Sequence, residues 1–323
     1  MILGPGFLLK ERATVSSNSS TSKTRANVGT RPSAAIELMP EGVLAAAMQG
    51  KNKNDAAVYA FTPLAAGALV PGIDEPNLRA PQAVAEAIKS ALGDVTPRTR
   101  YITLVLPDTA VRVFVLDFDS LPPKASDVIP VLRFRLRKMV PFDVEKAGVS
   151  YQILSEDKNE CRVLIAVLPG PILEEYEAVV RTTGYEPGAV LPSSLAALAA
   201  LEASEPALAA CLCGASLTTS ITSGQDLLLY RTLELPTDPA QRLEEVQRDI
   251  AVAAAYYEDK LATRPRHLYY GGVGGADDFA RWVRLSDAEL TVVELAPRPS
   301  TGAATPLGKL SFAGIIGALA GVA

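Results

Sequence analysis

Residues Gly214 to Leu233 read GASLTTSITSGQDLLLYRTL. A small-residue turn opens the stretch, and two alternating β-runs follow, joined by a tight Ser223-Gly224 turn. This pattern predicts a β-hairpin. A hairpin led by glycine can fold its backbone amides around a phosphate.

Working outward, Ala209 to Cys213 predicts the strand that enters the hairpin, preceded by a short helix carrying Leu195, Leu198 and Leu201. Downstream, Leu243, Val246, Ile250, Ala254, Tyr257 and Leu261 keep helical spacing. Glu244, Glu245, Arg248, Asp249 and Asp259 on that helix read as a solvated face. A strand at Arg266 to Tyr270 leads into Gly271-Gly272-Val273-Gly274-Gly275, then a helix from Asp277 and a strand at Leu290 to Leu295. Four glycines at a strand-to-helix junction fit a tight turn with close packing.

The first half repeats the alternation. Residues 1 to 31 are taken as a disordered leader, because Glu11 to Arg31 has almost no apolar content to offset its ordering entropy. From Pro32, SAAIEL and GVLAAAM flank a Met39-Pro40-Glu41-Gly42 turn, with a third strand at Ala56 to Phe61. Pro81 to Leu92 predicts an amphipathic helix ended by Gly93. Strands follow at Tyr101 to Leu106 and Val111 to Phe118. Ser126 and Asp127 are expected to cap a helix reaching Met139, where Pro141 stops it. Further strands at Val149 to Leu154 and Arg162 to Leu168 lead to a helix built on Ile172, Leu173, Tyr176, Val179 and Val180, closed by Gly184. Two similar runs of strands and helices read as a duplicated α/β architecture.

Composition narrows the functional classes. The net charge is −5, without a basic tract, so nucleic acid is not an expected partner. Cys161, Cys211 and Cys213 lack zinc-finger spacing and read as reduced core thiols. The single histidine, His267, precedes a strand and offers no triad or metal scheme. Met1 to Leu9 lacks a basic leader and is broken by Gly4-Pro5-Gly6, so it is a poor signal peptide. Leu310 to Ala323 is short of the roughly 20 residues of a spanning helix, and its Gly and Ala suit close packing in a soluble domain.

Four segments, in this order, carry a resemblance: RKMVPFDVEKAGVSYQIL at Arg137 to Leu154, AVVRTTGYEPGAVLPSSLAAL at Ala178 to Leu198, the Gly214 to Leu233 hairpin, and YYGGVGGADDF at Tyr269 to Phe279. Together they resemble the PilM family of type IV pilus assembly proteins, relatives of the cell-division tether FtsA. The resemblance spans about Pro32 to the C-terminus. It implies a duplicated actin-like, ribonuclease H-like fold with a small inserted subdomain. The first domain is expected at 32–204, its insert at about 99–169, and the second domain at 205–323.

The resemblance also implies two phosphate loops and an adenosine loop, and this sequence departs from the pattern. At the first loop the family has Asp-Ile-Gly, small hydroxyl residues and a lysine; Glu37, Met39, Pro40, Glu41 and Leu44 stand there. Pro40 removes an amide donor and Glu41 repels an anion. At the second loop Gly214, Ser216, Thr218 and Thr219 match the family, but its metal-orienting aspartate is Leu212. The adenosine loop keeps Gly271, Gly272, Gly274 and Gly275. The expectation is a degenerate nucleotide site with no catalytic residue and no metal ligand set, in which ATP with magnesium, if held, is not hydrolysed.

In the family, a cleft beside the inserted subdomain holds the cytoplasmic N-terminal peptide of a bitopic inner-membrane partner, PilN. Carried over, Arg135, Arg137, Pro141, Phe142 and Tyr151 are the partner-binding candidates, with Arg133 and Lys138 making the same helix basic. The implied role is a cytoplasmic scaffold of a type IV pilus platform or a related type II secretion machine. It would meet a PilN-like peptide and other platform proteins, with membrane contact only through partners. The alternative is an active ATPase that switches partner affinity with nucleotide. A direct FtsA-like tether ranks last, because Leu310 to Ala323 has no basic face.

Overall fold

The computed structural model describes residues 31–50, 57–157, 160–203, 205–224, 226–284, 290–298 and 310–320. The expected leader lies outside the described residues except for Arg31. That residue is buried and its guanidinium donates to the Gly317 carbonyl at 2.9 Å, so packing already includes it.

The described strands form three sheets. In the first, β1 (Ala34–Met39), β2 (Gly42–Met48) and β3 (Ala57–Pro63) make an antiparallel meander. Helix α1 (Pro81–Val95) crosses to β4 (Tyr101–Leu106), which runs parallel to β1. Then β5 (Arg112–Phe118), α2 (Ala125–Leu136), β6 (Gly148–Glu156) and β7 (Cys161–Leu168) form a separate subdomain, an antiparallel sheet in the order β5-β7-β6 under one helix. Helix α3 (Gly170–Thr182) returns the chain to β8 (Glu186–Pro192), parallel to β4. The order of the first sheet is β3-β2-β1-β4-β8.

After the short helix α4 (Ser193–Ala197), the second lobe repeats the scheme. Strands β9 (Ala207–Cys213), β10 (Ser216–Ser223) and β11 (Asp226–Glu234) form a meander. Helix α5 (Pro239–Leu261) leads to β12 (His267–Gly272), and α6 (Gly275–Val283) leads to β13 (Thr291–Glu294). Order β11-β10-β9-β12-β13, with β12 parallel to both β9 and β13, reproduces the first sheet strand for strand. This duplication is the actin-like arrangement, and α7 (Ala313–Leu319) closes the described chain.

Burial explains the sequence patterns. Strands β1 and β2 are buried on both faces, because α1 covers one side of the sheet and α7 the other, so AAIELM and GVLAAAM show no polar alternation. Strand β9 divides its residues between two cores: Ala207, Ala209 and Cys211 join the first, while Leu208 and Ala210 join the second. The first core therefore runs on into the second lobe.

Three local expectations shift. Helix α1 continues through Gly93 to Val95 and ends on Thr96 at φ +46°. Helix α2 starts at Ala125 without a side-chain cap, so Ser126 and Asp127 lie inside its first turn, and it ends at Leu136. Asp249 does not belong to a solvated face of α5. It is 2% exposed, accepts from Thr219 at 2.9 Å and meets Arg231 at 3.2 Å. By contrast, Asp238 caps α5 as a helix start requires, accepting from the Ala240 and Gln241 amides at 3.1 and 2.9 Å.

Candidate functional site

The floor between the two lobes is built from side chains that no sequence motif joined. Glu37 near the end of β1 is 4% exposed, and Asp108, in the turn after β4, is 2% exposed. The Ser193 hydroxyl donates to Glu37 Oε1 at 2.5 Å and lies 3.6 Å from Cys213 Sγ. Ser194 donates to Asp108 through its amide at 3.0 Å and its hydroxyl at 2.5 Å. No cation pairs with either carboxylate among the described residues. Burial, helped by nearby Asp108, raises the Glu37 carboxyl to about 7, against the Ser193 bond and the Ile315 amide. Asp108 is raised by burial against its bonds to Ser194. Burial also pushes the Cys211 thiol to about 12 and raises that of Cys213. Glu37 is thus close to half protonated near pH 7, with both sulfurs as thiols.

Helix α7 lies directly on this floor. A Cβ added at Gly314 would stand 2.7 and 2.9 Å from the Glu37 oxygens and 2.8 Å from Ser193 Oγ. Neighbouring Ala313 Cβ is 3.0 Å from the equivalent point at Gly271, and Cys211 Sγ is 3.3 Å from it. The protein's own atoms therefore occupy the ground between β1, β9 and β12.

The candidate phosphate contacts are brought to one strand but not to one point. Gly214 turns the hairpin at φ +56°, and its carbonyl accepts from Arg242 at 2.5 Å. Ser216 bonds the Cys213 carbonyl at 3.0 Å, Thr218 meets Thr232 at 2.9 Å, and Thr219 reaches Asp249 on the opposite face. All three hydroxyls are buried and spent within the lobe. Leu212 packs against the second-lobe core, whereas the flanking Cys211 and Cys213 interact with the buried carboxylates. The side chains on the cleft side of β9 are therefore those two cysteines.

Gly271, Gly272, Gly274 and Gly275, the expected adenosine loop, are explained by contacts within the lobe. A Cβ at Gly272 would fall 2.1 Å from the Tyr270 hydroxyl, and one at Gly275 2.5 Å from Glu294 Oε1. Gly274 and Gly275 both adopt φ +82°. Glu294 accepts from the Ala276 amide at the start of α6 at 2.9 Å and pairs with Arg298 at 3.2 Å, while Arg298 donates to the Gly272 carbonyl at 3.3 Å. A carboxylate thus already holds the helix N-terminus to which a phosphate would be drawn. The recess beside Tyr270, Gly271, Gly272, Arg298 and Phe312 measures about 10 Å³, room for about one water.

The partner candidates all lie on the inserted subdomain. Arg135 and Pro141 are exposed, and Arg137 is paired with Glu145 at 2.5 Å. Phe142 and Tyr151 are half-buried against the small core of Val128, Leu132, Leu136, Val163 and Ile165. The sequence reading did not single out Phe134, which is 73% exposed on α2, or Asp108, Ser193 and Ser194. A Pro-Ser-Ser run after a strand and an Asp after another carry no mutual signal; only the crossing of α4 over β4 joins them.

No protein-family model matches this chain, and no curated protein matches it either. Solved structures do. One chain of the PilM-PilN type IV pilus biogenesis complex is similar with a TM-score of 0.69 and 18% identity, over 91% of this chain and 100% of that one. More distantly, the cytoplasmic domain of EpsL, an inner membrane component of the type II secretion system of Vibrio cholerae, gives 0.47 and 14% over 82% and 87%. A Bacteroides thetaiotaomicron protein with actin-like ATPase fold and unknown function gives 0.46 and 10% over 84% and 94%. The actin-like fold expected from the sequence is the fold observed, and among the described residues no helix is long and apolar enough to cross a membrane.

Proposed function

We propose that this chain is a non-hydrolysing scaffold of a type IV pilus platform or a related type II secretion machine, on the cytoplasmic face of the inner membrane. It works by holding the N-terminal cytoplasmic peptide of a PilN-like bitopic partner. The observation that carries this reading is a likeness across the whole fold to a PilM-PilN complex, combined with nucleotide loops filled by the protein's own side chains. A site that keeps its frame but fills its ground with α7, Glu294 and Arg298 is suited to binding partners and not to phosphoryl transfer, which needs a metal, in-line space and charge neutralisation. Contact with other platform proteins belongs to the same reading.

The inserted subdomain offers a strand edge for the peptide. Strand β6 is the outer strand of its sheet and exposes Ile153 at 42%. An extended peptide adds main-chain hydrogen bonds at such an edge and seats alternate side chains in adjacent pockets. Calorimetric titration of the full chain with the N-terminal peptide of a PilN-like partner should give saturable binding with a Kd of the order of micromolar. Ile153→Arg should weaken it about tenfold or more with an unchanged thermal midpoint. Absence of binding heat at millimolar peptide, or full affinity in the variant, would remove the peptide site from this reading.

A further inference from the structure

The most exposed large apolar side chain among the described residues is Phe134, at 73%. It lies on α2, whose other face packs Val128, Leu132 and Leu136 into the small core, so the exposure is not a packing failure. Val131, Phe134, Arg135 and Lys138 recur at i, i+3, i+4 and i+7, one stripe along the helix and the turn that continues it. Val131 is 36% exposed and Met139, just beyond, 38%.

The cations of this helix fall into two sets. Arg133 donates to the Ala147 carbonyl at 3.2 Å and faces Glu145, and Arg137 pairs with Glu145 at 2.5 Å. These are held down on the subdomain. Arg135 and Lys138 have no carboxylate within ion-pair reach among the described residues, and they are the two beside Phe134. A chain of net charge −5 thus presents, on an inserted subdomain, one exposed aromatic followed along the same helix by two cations without ion-pair partners.

We infer that this stripe docks on an anionic lipid surface, with Phe134 entering the headgroup boundary and Arg135 and Lys138 meeting lipid phosphates. Two features favour lipid over a protein. Four side chains fall well short of the about 800 Å² per partner that a stable protein interface buries. Two cations of the stripe also have no carboxylate partner among the described residues, and a fluid bilayer, unlike a folded partner, supplies phosphates without needing a matching groove. An apolar wedge beside cations is the chemistry of interfacial helices, and each cation near an anionic leaflet strengthens binding about fivefold. Membrane contact would then be direct as well as through partners, holding the β6 edge close to where a membrane protein's cytoplasmic peptide emerges. The inference does not depend on the peptide being bound.

The test is sedimentation of the full chain with vesicles rich in phosphatidylglycerol and with vesicles of phosphatidylcholine alone. Binding is expected only to the anionic vesicles and should weaken as salt is raised. Phe134→Ser and the pair Arg135→Glu with Lys138→Glu should each lower binding about tenfold, with unchanged thermal midpoints because all three side chains are exposed. Because Lys10, Arg12, Lys23 and Arg25 could also attract lipid, the variants decide the matter. Equal binding to both vesicle types, no binding to either, or variants that bind like the parent would each overturn the assignment. Peptide affinity should be unaffected by Phe134→Ser, which separates this surface from the β6 edge.

Discussion

Glu37 shows how a fold sets the chemistry of a single carboxylate. The carboxylate lies near the end of the first strand, and its partners are one serine hydroxyl, a facing carboxylate and the backbone of α7. Burial raises its pKa from 4.5 to about 7, so between these values the folded state keeps a proton that the unfolded chain has lost. The contribution is fully present below about pH 4.5 and disappears as pH rises through about 7. It amounts to about 3 kcal/mol, from roughly 1.4 kcal/mol per pKa unit. Glu37→Gln, which needs no proton, should therefore be the more stable of the two above pH 7 by up to this amount. Chemical denaturation of both proteins from pH 4.5 to 8 should show the gap widening with pH, and parallel curves would mean that the carboxylate is ionised throughout.

At the level of elements, two glycines of helical segments have opposite meanings that composition cannot separate. Gly317 of α7 faces α4 so closely that an added Cβ would lie 1.8 Å from the Ala196 carbonyl oxygen, whereas Gly93 of α1 has nothing within 4 Å. Alanine is preferred to glycine in a helix interior by about 1 kcal/mol. Gly93→Ala should therefore stabilise the protein by about 0.5 to 1 kcal/mol, while Gly317→Ala should destabilise it by about 2 to 3 kcal/mol through forced separation of α4 and α7. Urea midpoints measure both. Equal gains would show that α7 can slide off α4 at little cost. The Gly and Ala pattern of the closing segment pointed to close helix packing, and it was legible because small side chains on a helix serve few other purposes. Which helix it meets depends on a contact between residues more than a hundred apart in sequence.

For the whole molecule, the two lobes share a core along β9 and α7, leaving the ground between them occupied. Millimolar ATP with magnesium should leave the thermal midpoint within about 1 °C, since binding no tighter than millimolar adds at most about 0.4 kcal/mol at that concentration. Phosphate release should not exceed background; release that Gly214→Val abolishes would restore the ATPase reading. The duplicated order of strands was readable from sequence, because period-two apolar runs, amphipathic helices and glycine turns are local consequences of chain geometry. So was the hairpin that Gly214 opens. Leu44 and Leu212, where the resemblance implies a lysine and an aspartate, could be read directly, yet Leu212 faces the second-lobe core, with cysteines on the cleft side. Asp249 read as solvated because a charged residue on a long helix usually is, and only the placement of Thr219 and Arg231 buried it. The sequence by itself determined the elements and their order, which are set by interactions a few residues apart. Whether the glycine loops stay open, which carboxylates lose their charge and which aromatic is left in solvent were decided by tertiary structure, because each depends on what side chains from distant segments put in the same space.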